Sequence, residues 1–277
     1  MNQSSNNPQS HAHDKLALYR EAVQHPDAEV DFCLRLLDHY QDAPDSATRL
    51  KEDFAGSAAI ACAWVEFDDA HQAMAVDIDQ PTLDWGREQA KQQLGERIKD
   101  VHFVCADVLQ VDSPQVDIVA ALNFSTFIYH DQADLVAYFQ TAFKSLDDQG
   151  VLVIDAFGGP GAMRPGIQRR QMTFGDEELP LTYLWEQKTF DPVTSRIDCR
   201  IHFEFNDGSE LRDAFCYDWR LWTLPELTAA MTQAGFSQVD VWCDELDVDQ
   251  QVIDPTFKPR TDMHARQEWV AYVVGRR

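Results

Sequence analysis

Between residues 48 and 157 short apolar runs alternate with helical segments, and this alternation constrains the fold more than any other feature of the chain. "TRLKED", "QAMAVDID", "VHFVCAD", "VDIVAALNF" and "GVLVIDAF" read as strands. "AAIACAWV", "PTLDWGREQAKQQL" and "DQADLVAYFQTAFKSL" lie between them and read as helices. The first of these helices is apolar throughout, the second opens on proline, and the third carries apolar residues at 135, 139, 142, 143 and 146, with Asp131 placed to cap it. Strands that alternate with helices predict an α/β fold with a doubly wound, mostly parallel sheet. The last strands are apolar on both faces, as burial between two helical layers requires.

The pattern then changes. "LTYLWEQKTF", "SRIDCRIHFEF" and "ELRDAFCYDWRLW" are extended alternating segments, joined by "DPVTS" and "NDGS". Asp-Gly between alternating runs signals a hairpin. Three antiparallel strands inserted after the fifth parallel strand predict a lid over the substrate. "TLPELTAAMTQAGF" returns to a helix stopped at Gly235, and "QVDVWC" and "EWVAYVVGR" finish as strands. The polar segment 244–266 between them reads as a loop. The resulting division is a disordered tail at 1–14, a helical cap at 15–44, a core at 45–160, an antiparallel insertion at 161–222, and a helix and strands at 223–277 that complete the core.

In an open α/β sheet, ligands lie at the carboxyl ends of the strands. Glu52 ends the first strand, Asp77 and Asp79 the second, Asp107 the third, and Asn123 and Ser125 follow the fourth. One acid at a strand end is ordinarily a helix cap; acids in register on three successive strands point to a ligand. A dinucleotide needs its pyrophosphate cradled by G-x-G-x-x-G. Here Gly56 stands alone behind Glu52 and Asp53, whose charges would repel phosphate. A nucleoside with ribose hydroxyls and an ammonium group, but no phosphate, removes that conflict.

"LKEDFAGSA", "AVDID", "CADV" and "DIVAALNFS" resemble the successive motifs of the class I S-adenosylmethionine-dependent methyltransferases, over residues 45–275. The E-D-F-x-G wording is similar to a bacterial and plant branch of that family, which supplies no substrate. Against the family's D-x-G-x-G-x-G, Phe54 and Ala58 replace the first and last glycines and Gly56 keeps the central one. The resemblance implies a seven-stranded Rossmann-like sheet and S-adenosyl-L-methionine as cofactor. It further implies that Glu52 organises the loop facing the amino-acid end of the cofactor, while Ala55 and Gly56 let the backbone approach. Asp77 would accept from the ribose and Ile78 pack on the adenine. Asp107 would accept from the adenine amino group with the Val108 amide nearby, and Asn123 lie under the methionine portion.

Methyl transfer from a sulfonium is an in-line displacement, so the protein mainly aligns donor and acceptor. "NFSTFIYHDQ" leaves the fourth strand at its ligand end, which makes His130 a candidate general base and Tyr129 a candidate orienting group. The alternative for His130 is a helix cap or solvent. Trp185, Glu186 and Tyr217 of the inserted strands are the candidate substrate residues. Strand alternation puts Trp185 and Glu186 on opposite faces, so at most one lines a pocket. Sheet packing competes for most of the aromatics, and His202 reads as a cross-strand residue.

With Lys+Arg 23 and Asp+Glu 47, the net charge is −24. Such a surface repels phosphate backbones, so no nucleic-acid partner is expected, and the adenine-methylating D/N-P-P-Y motif is replaced by Asn123-Phe124-Ser125-Thr126. The longest basic cluster is "RPGIQRRQ" at 164–171. A small molecule, cationic or zwitterionic, fits as substrate; the insertion after the fifth strand resembles the general plan of the sugar-amine N-methyltransferases, which implies a slight preference for nitrogen over oxygen as acceptor. A protein methyltransferase and a non-catalytic cofactor-binding module remain alternatives; an acceptor pocket under the insertion would favour an enzyme. No apolar run approaches the ~20 residues of a membrane span, and no signal peptide is visible. The six cysteines form no CxxC pair, so no metal site is expected, and Cys62 and Cys105 read as core residues. The expected setting is cytoplasmic, as a monomer or homodimer.

Overall fold

The computed structural model describes residues 13–43, 47–175, 179–246, 252–263 and 266–277. The tail expected at 1–14 falls almost wholly outside them; Asp14, which is described, caps the first helix by accepting from the Leu16 amide at 2.9 Å.

The core strands are β1 (Arg49–Asp53), β2 (Gln72–Asp77), β3 (Val101–Cys105), β4 (Val116–Ala121), β5 (Leu146–Gly158), β10 (Gln238–Leu246), β11 (Val252–Arg260) and β12 (Trp269–Arg276). They form one sheet in the order β11-β10-β12-β5-β4-β1-β2-β3. β1 to β5 are parallel, and β12 runs antiparallel to both β5 and β10. The chain moves outward from β1 to β3, then returns across β1 to β4. That reversal opens the crevice at the carboxyl ends of β1 and β4.

Alternation fills both faces of this sheet. Leu50, Ile118, Ala120 and Val153 pack under α2 (Pro26–Tyr40) and α3 (Ala59–Phe67). Val119, Ala121, Leu152 and Ile154 pack under α5 (Gln132–Ser145) and α6 (Leu224–Ala234). α4 (Gln80–Leu94) follows β2 and is capped by Asp79, which accepts from the Thr82 amide at 3.3 Å. Asp131 holds the N-cap position of α5 without a side-chain bond, and Gly235 ends α6 in the left-handed region at φ 115°.

Among the described residues the sheet has eight strands, not seven. The additional strand, β11, lies in the segment read as a loop and pairs antiparallel with β10. Among the described residues the inserted sheet has four strands, not three: β6 (Gly166–Phe174), β7 (Leu179–Phe190), β8 (Arg196–Phe205) and β9 (Glu210–Arg220), in that order. β6 contains the basic cluster and runs along the sheet edge, exposed over most of its length. The turn before β9 places Gly208 at φ 82°, as the Asp-Gly signal requires. Cys62 is buried, whereas Cys105 is exposed at the end of an edge strand.

The N-terminal helices divide between the two sheets. α1 (Lys15–Val23) buries Leu18 and Ala22 against Leu181, Ile201 and Phe203 of the inserted sheet. α2 buries Phe32, Cys33 and Leu36 on the core. Trp219 and Trp222 anchor the inserted sheet to the α5–α6 side of the core; the Trp222 indole donates to the Tyr129 carbonyl at 3.0 Å.

Candidate active site

The loop after β1 keeps the backbone of a glycine-rich turn with one glycine. Phe54, Gly56 and Ala58 have φ of 56°, 53° and 60°. The left-handed region costs an L-residue about 1–2 kcal/mol, so strain at Phe54 and Ala58 is concentrated where a ligand loop is expected. Glu52 points into the α3 side of β1, 3% exposed, and accepts the Ala61 amide at 2.8 Å. It thus satisfies the start of α3, whose own N-cap residue, Ala58, has no side chain to do so. Burial pushes its carboxyl up to about 8.

Asp77 closes the loop from the neighbouring strand. Its two oxygens accept the Gly56 amide at 2.7 Å and the Asp79 amide at 2.8 Å. The Ala55 amide donates to the Val76 carbonyl at 2.9 Å. Ile78 is 75% exposed directly after these groups, an apolar surface open to a ligand. At the next strand end, the Ala106 amide donates to the Asp77 carbonyl at 2.9 Å, and Asp107 accepts the Leu109 amide at 2.9 Å beside buried Val108. The strand-end residues named from sequence therefore gather along one rim, where Glu52 and Asp79 also satisfy the starts of the helices after β1 and β2.

Two further acids were not singled out by the sequence reading. Asp155, near the end of β5, accepts the Asn123 amide at 2.9 Å and the Phe124 amide at 2.7 Å. It holds both residues left-handed at φ 59°. Burial pushes Asp155 up to about 7. Its sequence signal was an acid inside the apolar run "VLVIDAF". Glu29 of α2 has a buried Oε2 without a hydrogen-bond partner. Burial, then the charge of Asp155, pushes Glu29 up to about 7. Nothing in "PDAEVDF" separates it from the helix's other acids.

A cavity of about 950 Å³ is walled by the loop after β4, the end of β5, the turn into β6, the inserted sheet and the start of β12. Asn123, Phe124, Phe157, Trp185, Tyr217 and Trp219 line it. Their rings form one wall: Tyr217 stacks on Trp219 at 4.3 Å, and Phe157 meets Trp185 edge-on at 6.2 Å. Glu186 faces away and accepts from His202 Nε2 at 3.1 Å. His202 Nδ1 accepts the Asp213 amide at 2.8 Å, which fixes the neutral tautomer with its proton on Nε2. Tyr129 lies outside the cavity, between Phe54 at 6.2 Å and Tyr138 at 5.5 Å. His130 also lies outside, with Nε2 2.9 Å from the Asp218 carbonyl. Among the described residues, no group of three or more His, Cys, Asp or Glu is placed to hold a metal ion, and no helix is long and apolar enough to cross a membrane.

No protein-family model matches the chain, and no curated relative does. Among the solved structures that share the fold are several methyltransferases. The CcbJ methyltransferase from Streptomyces caelestis is 16% identical, covers 94% of this chain and 98% of its own, and superposes with a TM-score of 0.62. The amino pentose methyltransferase CalS10 from Micromonospora echinaspora is 14% identical over 100% of both chains, with a TM-score of 0.64. The sugar N-methyltransferase KedS8 from Streptoalloteichus is 20% identical over 94% and 92%, with a TM-score of 0.61. At these identities the likeness establishes a Rossmann-like methyltransferase fold.

Proposed function

We propose that the chain is an S-adenosylmethionine-dependent methyltransferase acting on a small molecule, with nitrogen slightly preferred over oxygen as the acceptor atom. The observation that carries this reading is the rim itself. Glu52, Asp77 and Asp107 stand on three adjacent strand ends, beside a left-handed loop and the exposed Ile78.

These residues fit the cofactor. Asp77 has lone pairs left for ribose hydroxyls, since each of its oxygens accepts only one backbone amide. Gly56 leaves open space above the loop; a Cβ there would meet only Thr82 Cγ2 at 3.9 Å. The raised carboxyls of Glu29 and Glu52, with the orphaned Glu29 oxygen, suit an ammonium group. When bound, the cofactor supplies a methyl group already activated by a sulfonium charge.

The chain's own contribution is alignment. Asp155 fixes Asn123 and Phe124 in the cavity wall. The aromatic wall excludes water and seats the acceptor, and well-oriented reactants can gain about 7–11 kcal/mol from such placement. Trp185 and Tyr217 are the substrate-facing pair. His130 and Tyr129 hold the loop after β4 against β9 and the cofactor loop. The acceptor-side cavity supports an enzyme over a purely cofactor-binding module.

Calorimetric titration with S-adenosylhomocysteine and with NAD tests the cofactor. Micromolar binding of the first and none of the second is expected; the reverse would replace a methyltransferase with a dehydrogenase. A metabolite extract incubated with labelled methyl donor then identifies the acceptor.

A further inference from the structure

The charge of the cavity wall opposes that of the chain. Asp and Glu outnumber Lys and Arg by 47 to 23 overall. Among the described residues, the cavity is lined by four arginines, Arg164, Arg169, Arg170 and Arg266, and two acids, Asp244 and Glu268. Three of those arginines come from the basic cluster "RPGIQRRQ", which the fold places on the turn into β6 and on β6 itself. A net positive wall inside a strongly acidic protein is a local field that selects for anions.

The arginines are not equivalent. Arg266 is ion-paired with Asp244. Arg169 pairs with Glu204 at 2.6 Å. Strand alternation turns Arg169 to the opposite face from Arg170, which sits opposite Tyr183 on the side shared with Gln168 and Trp185. Arg170 donates to the Ala22 carbonyl at the end of α1 and lies 5.1 Å over the Tyr183 ring. Arg164 is exposed. Among the described residues, neither Arg164 nor Arg170 has a carboxylate partner. Glu268, the other acid of the wall, accepts from Gln168 at 2.8 Å. The turn carrying Arg164 is tied to β7, because Gln187 donates to the Ala162 carbonyl at 2.6 Å.

We propose that the acceptor carries an anionic group, a carboxylate or a phosphate, received by Arg164 and Arg170, while its apolar or ring portion lies on the Phe157–Trp185–Tyr217–Trp219 wall. The inference rests on the reading that this cavity receives the methyl acceptor. Planar guanidinium forks match both anions. The anionic end lies toward β6, and the end to be methylated lies toward Asn123 and Phe124. The net charge of the whole chain, taken alone, points to a cationic ligand; the charge actually lining the cavity points the other way.

The test uses four small probes of similar size: benzoate, phenyl phosphate, neutral benzamide and cationic benzylamine. Their binding to the full chain is followed by tryptophan fluorescence, with and without S-adenosylhomocysteine. The anions are expected to bind at least tenfold more tightly than benzamide, and benzylamine most weakly. Arg164→Gln with Arg170→Gln should remove that preference, whereas Arg212→Gln, outside the cavity and paired with Glu210, should leave it within twofold. Tighter binding of phenyl phosphate assigns a phosphate, and of benzoate a carboxylate. Equal binding of benzamide, failure of all four probes at millimolar concentration, or a preference untouched by the double variant would overturn the proposal. Calorimetry with S-adenosylhomocysteine reads the methyltransferase assignment separately, so its failure is not confused with loss of anion selectivity. In the extract assay, the labelled product should be retained on an anion exchanger; passage through it counts against the proposal.

Discussion

Lys51 and Asp53 form an ion pair at 2.8 Å from the middle to the end of β1, with neither side chain more than 1% exposed. A central parallel strand is ordinarily apolar on both faces, so this pair is an expense at the centre of the core. Asp53 also accepts from the Tyr138 hydroxyl at 3.1 Å, and Tyr138 packs 5.2 Å from Phe54, the first left-handed residue of the loop. Removing one partner strands the other: Lys51→Met is expected to destabilise the chain by about 3–5 kcal/mol. Lys51→Met with Asp53→Leu should recover most of that loss in chemical denaturation. The recovered protein should still bind S-adenosylhomocysteine more weakly than the parent, because Phe54 has lost its support.

Gly86 marks a close approach. A Cβ at this position of α4 would stand 2.1 Å from the Ser57 carbonyl oxygen. That atom is backbone of the cofactor loop, so the helix or the loop must move. Gly86→Ala is expected to cost about 1–3 kcal/mol and at least tenfold in S-adenosylhomocysteine affinity. Thermal melting and calorimetry measure the two effects.

Asp77 joins the loop to the rim through its bonds to the Gly56 and Asp79 amides. Asp77→Ala should weaken S-adenosylhomocysteine binding at least tenfold. Asp77→Asn, which keeps one acceptor oxygen, should lie between. Unchanged calorimetric affinity in both would remove the ribose assignment.

The order of strands and helices was legible because the buried elements carry strong periods: "VDIVAALNF" and "DQADLVAYFQTAFKSL" leave little choice. The two strands that went unread, β6 and β11, are both edge strands. β6 is mostly exposed and carries Arg169 and Arg170, so no apolar alternation betrays it. β11 contains Pro255 and Pro259, residues that argue against a strand except at an edge. The cofactor rim was legible because its acids fall at strand ends in sequence. Glu29 was not, since its meeting with Asp155 is a tertiary event between α2 and β5. The left-handed backbone at Phe54 and Ala58 was hidden because only glycine announces that region in a sequence.

His130 links the loop after β4 to β9, through its ring to the Asp218 carbonyl and through its own carbonyl, which accepts from Arg220 at 2.8 Å. His130→Ala is expected to slow turnover several-fold while leaving cofactor affinity and the shape of the pH–rate profile unchanged. Loss of one limb of that profile would instead assign the acceptor proton to His130.

Glu52, Glu29 and Asp155 give the folded chain a pH dependence of fixed sign. Their folded values are about 8, about 7 and about 7, against ordinary values of 4.5, 4.5 and 3.8. Between those limits the folded state holds protons that the unfolded state releases. Stability is therefore fully present below the ordinary carboxylate range and is lost as pH rises through about 7 to 8. The melting temperature of the protein without ligand should fall from about pH 5 to about pH 9, and Glu52→Gln should flatten the upper part of that fall. Binding of an ammonium group acts in the opposite direction, because it favours the ionised carboxylates. S-adenosylhomocysteine, which carries the ammonium without the sulfonium, should bind more tightly as pH rises from about 6 to about 8 and release protons as it does so. Calorimetry in buffers of different ionisation enthalpy measures that release directly, and heats that are the same in every buffer would show that these carboxyls do not meet the ammonium group.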